Sequence, residues 1–113
     1  MSDCIFCKIA SGEIPAEKLY EDDEIVAFED ANPAAPIHFL VIPKQHIPTL
    51  DDVSKEEVPL LGRVMSVAAR LAREKGVSKA GYRQVINCRA AGGHVVFHLH
   101  VHILGGRQMN RMG

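Results

Sequence analysis

Residues 98–102 read His98-Leu99-His100-Val101-His102, so three of the six histidines of this chain alternate with apolar residues. Successive side chains of a β-strand point to opposite faces of a sheet. If the segment is a strand, the three imidazoles share one face, whereas a helix would scatter them at intervals of roughly 200°. The β-branched neighbours favour the strand. The pattern therefore predicts a strand that carries a chemical site on one face.

Two kinds of site fit three histidines on one strand. In the first, an H-x-H pair chelates zinc or iron with a third ligand from elsewhere, for which His38 and His46 are candidates. In the second, one imidazole attacks phosphorus while its neighbours hold anionic oxygens or move protons. The nearby pair Gly92-Gly93 would let backbone N–H groups approach a phosphate, although it also suits a hairpin turn. These residues alone leave both alternatives open.

The composition indicates one ordinary globular domain over residues 1–113. The chain is 47% hydrophobic and 24% charged, and its length supports a modest core. The formal net charge of −1 gives no basic surface for nucleic acid. The longest apolar stretches are too short to span a bilayer, and the start lacks the features of a signal peptide. We therefore expect a cytoplasmic protein with no nucleic-acid or membrane partner.

Turn signals and hydrophobic periodicity place short strands around one long helix. Strands are expected near residues 18–21, 25–29, 38–42, 82–87 and 95–104. Ser54 and Glu57 form a capping box, the regular part of the helix is expected to begin near Glu57, and Gly76 is a natural stop. One long helix among short strands indicates an α+β domain with a mostly antiparallel sheet.

We expect no disulfide framework among the three cysteines, because their number is odd and the start of the sequence does not resemble an export signal. Cys4 and Cys7 form a C-x-x-C pair that lacks the βαβ context of a redox motif. They are either ordinary buried thiols or half of a tetrahedral zinc site. His46 is the candidate third ligand of such a site, and Cys88 has no assigned role.

The chain resembles the histidine triad superfamily. Residues 98–104 carry the His-x-His-x-His-x-x signature with hydrophobic residues at x. The segments 4–9, 21–23, 28–30, 36–44 and 105–109 are similar to those of histidine triad nucleotide-binding proteins, so the resemblance extends over almost the whole chain.

The resemblance implies a HIT-like fold with an antiparallel sheet of about five strands, one long helix and one short helix. It also implies a homodimer in which two sheets form one larger continuous sheet. The implied activity is hydrolysis of purine nucleoside 5′-phosphoramidates, such as an adenylyl group on an amine, through a covalent nucleotidyl-histidine. Purine nucleoside monophosphates such as AMP would bind, and no organic cofactor is expected. The alternative is a nucleotide-binding interaction protein whose catalysis is vestigial.

The resemblance also assigns residues to these functions. The nucleophile falls on His100, with His102 and His38 around the phosphate as further catalytic residues. A structural zinc would be held by Cys4, Cys7, His46 and His98. The nucleotide-binding residues implied are Asp30 for the ribose with Ala31 beside it, and Asn87, Gly93, His94, Val95, His100 and His102 on the phosphate side.

One departure from the family pattern lies in the loop before the histidines. Relatives often carry glutamine followed by a hydroxyl residue, where this chain has His94-Val95. Val95 has no side-chain donor for a phosphate. His94 either makes a cationic contact with the phosphate or points to solvent. Solvent is slightly favoured, because a loop histidine beside glycine is poorly fixed.

Overall fold

The computed structural model describes residues 4–112 of the chain. The helices within this range are α1 (Ile5–Ser11) and α2 (Val58–Glu74). The strands are β1 (Lys18–Glu21), β2 (Ile25–Glu29), β3 (Ile37–Pro43), β4 (Arg83–Val85) and β5 (Val101–Gly105).

The strands form one antiparallel sheet in the order β1-β2-β3-β5-β4. This architecture confirms the expected α+β fold with one long and one short helix. Among residues 4–112, neither helix combines the length and the apolar character that crossing a membrane requires.

Helix α2 covers one face of the sheet. The Ser54 N–H donates to the Glu57 carboxylate at 2.9 Å ahead of the helix, and Gly76, at φ 78°, follows its last turn. Both predicted end signals therefore act where the sequence places them. The buried side of α2 packs against alternate residues of the central strands, in a cluster of Ile25, Ala27, Phe39, Val41, Val64, Val67, Ala68, Leu71, Ala72, Val77, Val101 and Ile103.

Helix α1 packs against the opposite face of the sheet. Its residues Phe6 and Ile9 are buried together with Val26, Phe28, Leu40 and Ile42. In the register of β3 and β5, His102 lies opposite Leu40. Residues directly opposite one another in an antiparallel pair share a face. The histidine face of β5 is therefore the face on which α1 lies.

The last strand is shorter than the sequence predicts. The expectation of a strand over residues 95–104 is wrong for its first half, because β5 begins only at Val101. Beyond Val41, strand β3 pairs with β2 alone. The residues that precede Val101 therefore have no strand beside them to pair with. Instead the Leu99 N–H donates to the Ile47 carbonyl in the loop after β3, at 2.6 Å. His98 and His100 consequently lie in an irregular segment that leads into the sheet.

Gly105, at the end of β5, is a position of close approach between the sheet and the chain that follows α2. A Cβ placed there would lie 3.0 Å from the Cβ and Cγ1 of Val77, which is itself buried. We expect Gly105→Ala to lower the free energy of unfolding by about 1–3 kcal/mol, the usual cost of overpacking a core. Urea denaturation monitored by circular dichroism measures the change.

Gly62, inside α2, provides the matched control. A Cβ there meets nothing within 4 Å, and alanine is favoured over glycine in a helix interior by about 1 kcal/mol. Gly62→Ala should therefore stabilise the fold. Adding Val77→Ala to Gly105→Ala should recover part of the loss. If Gly105→Ala has the same free energy of unfolding as the wild type, the contact between Gly105 and Val77 is not tight.

Candidate active site

His100 lies at the centre of a group of imidazoles beneath α1. Its ring is 7% exposed and packs edge-on against Phe6, with 5.0 Å between ring centroids. The rings of His102 and His94 lie 4.9 and 5.6 Å from it. Burial lowers the pKa of His100 below its ordinary value, so the ring is neutral near pH 7.

The tautomer of His100 follows from one hydrogen bond. Its Nδ1 lies 2.7 Å from the backbone carbonyl oxygen of His98. A carbonyl oxygen only accepts, so Nδ1 carries the proton and donates it. In a neutral imidazole the other nitrogen is then unprotonated. His100 Nε2 therefore holds a lone pair that is available for nucleophilic attack.

His102 is held by a relay that begins at the backbone of the loop before β3. The Ala34 N–H donates to His38 Nδ1 at 2.9 Å, so the His38 proton lies on Nε2. That nitrogen is 3.0 Å from His102 Nδ1 and donates to it. His102 consequently carries its proton on Nε2. Burial and the neighbouring rings of His100 and His38 lower the pKa of His102 to about 4, so it too is neutral.

Asp30 joins this relay at its outer end. Its Oδ2 lies 3.3 Å from His38 Nε2, and its Oδ1 accepts from the Asn32 N–H at 2.8 Å. A carboxylate offers about four acceptor positions, so capacity remains for other donors. Asp30, His38 and His102 place three possible metal-ligand atoms within 4.8 Å of one another. Two of these atoms are already hydrogen-bonded to each other, which favours a proton relay over a metal cluster at this position.

A cavity of about 630 Å³ opens beside Asp30, between α1 and the sheet. Its polar lining comes from Glu17, Glu29, Asp30 and Asn32, while its remaining walls, Ala31 among them, are apolar. Concave, mostly apolar pockets with a few polar groups are typical of small-molecule sites. The sequence does not predict the apolar wall of this cavity, because the residues that form the wall are ordinary core residues by type. The principal apolar residues are Ile5, Phe6, Ile9, Phe28, Leu40 and Val96.

The structure corrects the expectation for His94. The slightly favoured solvent-facing orientation is wrong, since the residue is 5% exposed. Its Nδ1 accepts from the Arg89 N–H at 3.1 Å, and its ring stacks on Phe97 with centroids 4.3 Å apart. Backbone and aromatic contacts thus fix a loop residue that the neighbouring glycine suggests is mobile.

The other residues expected on the phosphate side lie on the same loop with less definite contacts. Gly93 has φ 85°, which suits glycine at the turn. Val95 is 86% exposed. Asn87 is half-buried at the start of the loop. Among residues 4–112, no hydrogen bond joins the Asn87 side chain to the histidines.

The predicted zinc ligands come together beside the catalytic segment. One ligand atom from each of four residues lies within 4.8 Å of the others, and the residues are Cys4, Cys7, His46 and His98. His98 is fully buried, and its Nε2–H donates to the Pro43 carbonyl at 2.7 Å. Its unprotonated Nδ1 faces the thiols of Cys4 and Cys7 at 3.3 and 3.4 Å.

This donor set fits zinc by its chemistry. Two thiols and two imidazole nitrogens form one of the usual ligand sets of a four-coordinate site. His46 Nδ1 lies 3.2 Å from Cys7 Sγ, and the neutral tautomer of His98 presents a lone pair. Burial lowers the pKa of His98 to about 4, which keeps that lone pair unprotonated. The backbone C=O of Pro43 is the partner that orients the ring.

The sequence and the fold both match known proteins. Residues 3–113 match the family described as scavenger mRNA decapping enzyme C-term binding. The chain is 50% identical to Protein HitA of Neisseria gonorrhoeae over 105 residues, covering 93% of this chain and 97% of that protein. It is 46% identical to the purine nucleoside phosphoramidase of Escherichia coli (strain K12) over 110 residues, covering 97% and 92%.

A solved structure extends the similarity to the backbone. The HIT family hydrolase from Legionella pneumophila Philadelphia 1 superposes with a TM-score of 0.94 at 50% identity, over 96% of each chain. The similarity in sequence and in backbone thus extends over nearly the full length of this chain and of these relatives. The protein belongs to the histidine triad (HIT) family and is a hydrolase.

Proposed function

We propose that this hydrolase cleaves purine nucleoside 5′-phosphoramidates through a covalent nucleotidyl-histidine on His100. The observation that carries the proposal is the 2.7 Å hydrogen bond from His100 Nδ1 to the His98 carbonyl. It directs the lone pair of Nε2 away from the backbone, in a ring that burial keeps neutral. The named activity of the Escherichia coli relative supports this substrate class.

The reaction divides into two displacements at phosphorus. In the first, His100 Nε2 forms a bond to phosphorus, the P–N bond of the substrate breaks, and the amine leaves after it takes up a proton from solvent. In the second, water forms the new P–O bond and returns a proton to solvent, and the bond to Nε2 breaks. The products are the nucleoside monophosphate, the amine and the neutral imidazole. Dividing a difficult step in this way is the usual advantage of covalent catalysis.

His100→Ala tests the nucleophile directly. We expect turnover of adenosine 5′-phosphoramidate to fall by about a thousandfold or more, because no other group takes over bond formation to phosphorus. Release of the amine is measured in steady state. The nucleotidyl-histidine intermediate of the wild type is trapped by rapid denaturation without acid, and its mass is measured by mass spectrometry.

Binding of AMP is the control for this variant. His100→Ala should still bind AMP, which shows that the site remains folded. Turnover close to that of the wild type would contradict the assignment. Binding of AMP by a wild-type protein that lacks turnover would instead favour the vestigial interaction protein.

The cavity beneath α1 is proposed to hold the purine nucleoside. Its apolar walls suit a purine base, and the Asp30 carboxylate at its rim suits the two hydroxyls of a ribose. This orientation places the 5′ position towards the histidines, since Asp30 contacts the His38 end of the relay.

Asp30→Ala should weaken binding of AMP more than binding of 2′-deoxy-AMP, because only the ribonucleotide presents both hydroxyls. A loss of about tenfold is expected from removing a hydrogen bond to a charged group. Isothermal titration calorimetry measures both affinities. The exposed acid Asp23 supplies the charge control, since Asp23→Ala removes the same charge outside the cavity. Equal losses for both nucleotides would remove Asp30 from the ribose site.

We also propose that Cys4, Cys7, His46 and His98 hold a structural zinc ion. Four protein ligands close the coordination sphere and leave no position for a reacting water. The metal would join the first turn of α1 to the segment that precedes β5. It would thereby fix the backbone whose carbonyl orients His100.

Removal of zinc should lower the melting temperature of the protein. Cys4→Ser should lose the metal and melt earlier, because binding free energy contributes to the folded state alone. Inductively coupled plasma mass spectrometry measures the zinc content, and differential scanning fluorimetry measures the melting temperature. Cys88→Ser is the matched control and should change neither quantity. Freshly purified, reduced protein without zinc would contradict the site.

We further propose that the protein forms a homodimer and is located in the cytoplasm. The edge strand β4 supports the dimer, because its outer side offers unpaired backbone groups to a second sheet. The side-chain oxygen of Gln84 in this strand is buried without a hydrogen-bond partner among residues 4–112. A partner chain at this edge would supply one.

A further inference from the structure

We propose that Arg107 is a positioning residue for the reaction, because it fixes the loop whose backbone N–H sets the tautomers of His38 and His102. The inference rests on the proposed function and adds to it a residue in the segment that follows β5. The Arg107 side chain is exposed and lies outside the lining of the cavity beside Asp30. Its effect on the relay is therefore indirect.

The loop that enters β3 has few backbone donors. Pro33 and Pro36 have no N–H, so between them only Ala34 and Ala35 can donate from the backbone. The Ala34 N–H donates to His38 Nδ1 at 2.9 Å. The tautomer of His38 therefore depends on the position of one N–H group in an exposed part of the loop.

The guanidinium of Arg107 joins this loop to the segment after β5. Its Nη2 donates to the Ala34 carbonyl at 3.0 Å, and its Nη1 donates to the Gln108 carbonyl at 3.0 Å. Ala34 is thus held on both sides of its Cα, at its carbonyl by Arg107 and at its N–H by His38. The donors of a planar guanidinium have fixed directions, so the two bonds together restrict the loop.

The residue before Arg107 contacts the same loop at a second point. Ile37 of β3 pairs with Gly105 of β5, so the segment that leaves β5 lies beside the loop that enters β3. Gly106 has φ 90°, and a Cβ placed there would lie 2.9 Å from the Cβ of Pro36. Both the backbone conformation and the close contact require glycine. Two consecutive residues after β5 therefore hold the loop in place.

Loss of this support would permit the opposite tautomers in the relay. Without the Ala34 N–H, His38 can carry its proton on Nδ1, and its Nε2 can then accept. His102 would donate from Nδ1 to that nitrogen, which leaves its own Nε2 without a proton. This Nε2 is the nitrogen of His102 that remains for a substrate beside His100, whose ring lies 4.9 Å away. A donor to the phosphoryl oxygens would become an acceptor, which repels them.

Three substitutions separate this role from a general effect of charge. Arg107→Ala removes both hydrogen bonds, whereas Arg107→Lys keeps a cation that can donate to the Ala34 carbonyl. Arg83→Ala is the matched control, because Arg83 also donates to backbone carbonyls, those of Asn110 and Arg111, at 2.7 and 3.5 Å. Release of the amine from adenosine 5′-phosphoramidate gives kcat and KM, and differential scanning fluorimetry gives the melting temperature.

In Arg107→Ala kcat should fall by about tenfold, the effect of losing one hydrogen bond to a charged group. KM should stay close to that of the wild type, because the charge on the phosphoryl oxygens increases in the transition state and the cavity is unchanged. Arg107→Lys should recover part of kcat, and Arg83→Ala should match the wild type. An unchanged kcat in Arg107→Ala, or an equal loss in Arg83→Ala, would overturn the proposal.

Nuclear magnetic resonance reads the tautomers without turnover. Long-range proton–nitrogen spectra of the wild type should show His38 and His102 as Nε2–H tautomers near neutral pH. Arg107→Ala should add a population of the Nδ1–H tautomer at both rings, and Arg83→Ala should not. If Arg107→Ala does not fold, Arg107→Lys carries the same test with a smaller population expected.

Tautomers that stay unchanged in the folded Arg107 variants would overturn the proposal. A simple loss of stability would lower the melting temperature and leave the tautomers of the folded fraction unchanged, which also contradicts it. A wild type that lacks turnover while the tautomers of His38 and His102 respond to Arg107 would contradict the proposed function and support the positioning role.

Discussion

The hydrogen bond from His100 to the carbonyl of His98 is the interaction on which the rest of the site depends. It selects the nitrogen that keeps a lone pair, and it can do so only while the His98 backbone is fixed. His98 is fixed at both ends of its ring, by the Pro43 carbonyl and by the thiols at the start of α1. The first histidine of the motif thus positions the second, although it is too deeply buried to reach a substrate.

Burial and hydrogen bonding act on these imidazoles in opposite directions. Removal from water disfavours the charged form and lowers the pKa, whereas the hydrogen bonds from His98 and His100 to backbone carbonyl oxygens raise it by a smaller amount. In His102 burial outweighs the nearby Asp30 carboxylate, which raises the pKa but acts more weakly. A cluster of cations would repel itself, whereas neutral rings can lie 4.9 Å apart and divide the functions of donor and nucleophile. The site is therefore polar without being highly charged.

The sequence predicts the strands and the helix ends because each depends on local chemistry, whereas the full set of four zinc ligands is implied only by the resemblance to the histidine triad superfamily. Alternation, capping boxes and positive-φ glycines require only near neighbours along the chain. Prediction from the sequence fails where a residue distant along the chain determines the local structure. The strand expected over residues 95–104 lacks its first half because β3 pairs with β5 only as far as Val41, and His94 is buried because a backbone N–H five residues earlier holds its ring. The cavity under α1 was not predicted either, since lining residues such as Phe6 and Phe28 are ordinary core residues by type.

The irregular segment before β5 has a consequence for the chemistry. In a regular strand the backbone groups of residues 98–100 would pair with a neighbouring strand, and the His98 carbonyl would be committed to that ladder. Because the segment leaves the sheet, this carbonyl is free to accept from a side chain, and the tautomer of His100 is set locally. The same departure directs His98 towards α1 while His102 remains in register with Leu40 of β3. The alternating motif therefore serves two sites, because its first half lies outside the sheet and its last histidine lies within it.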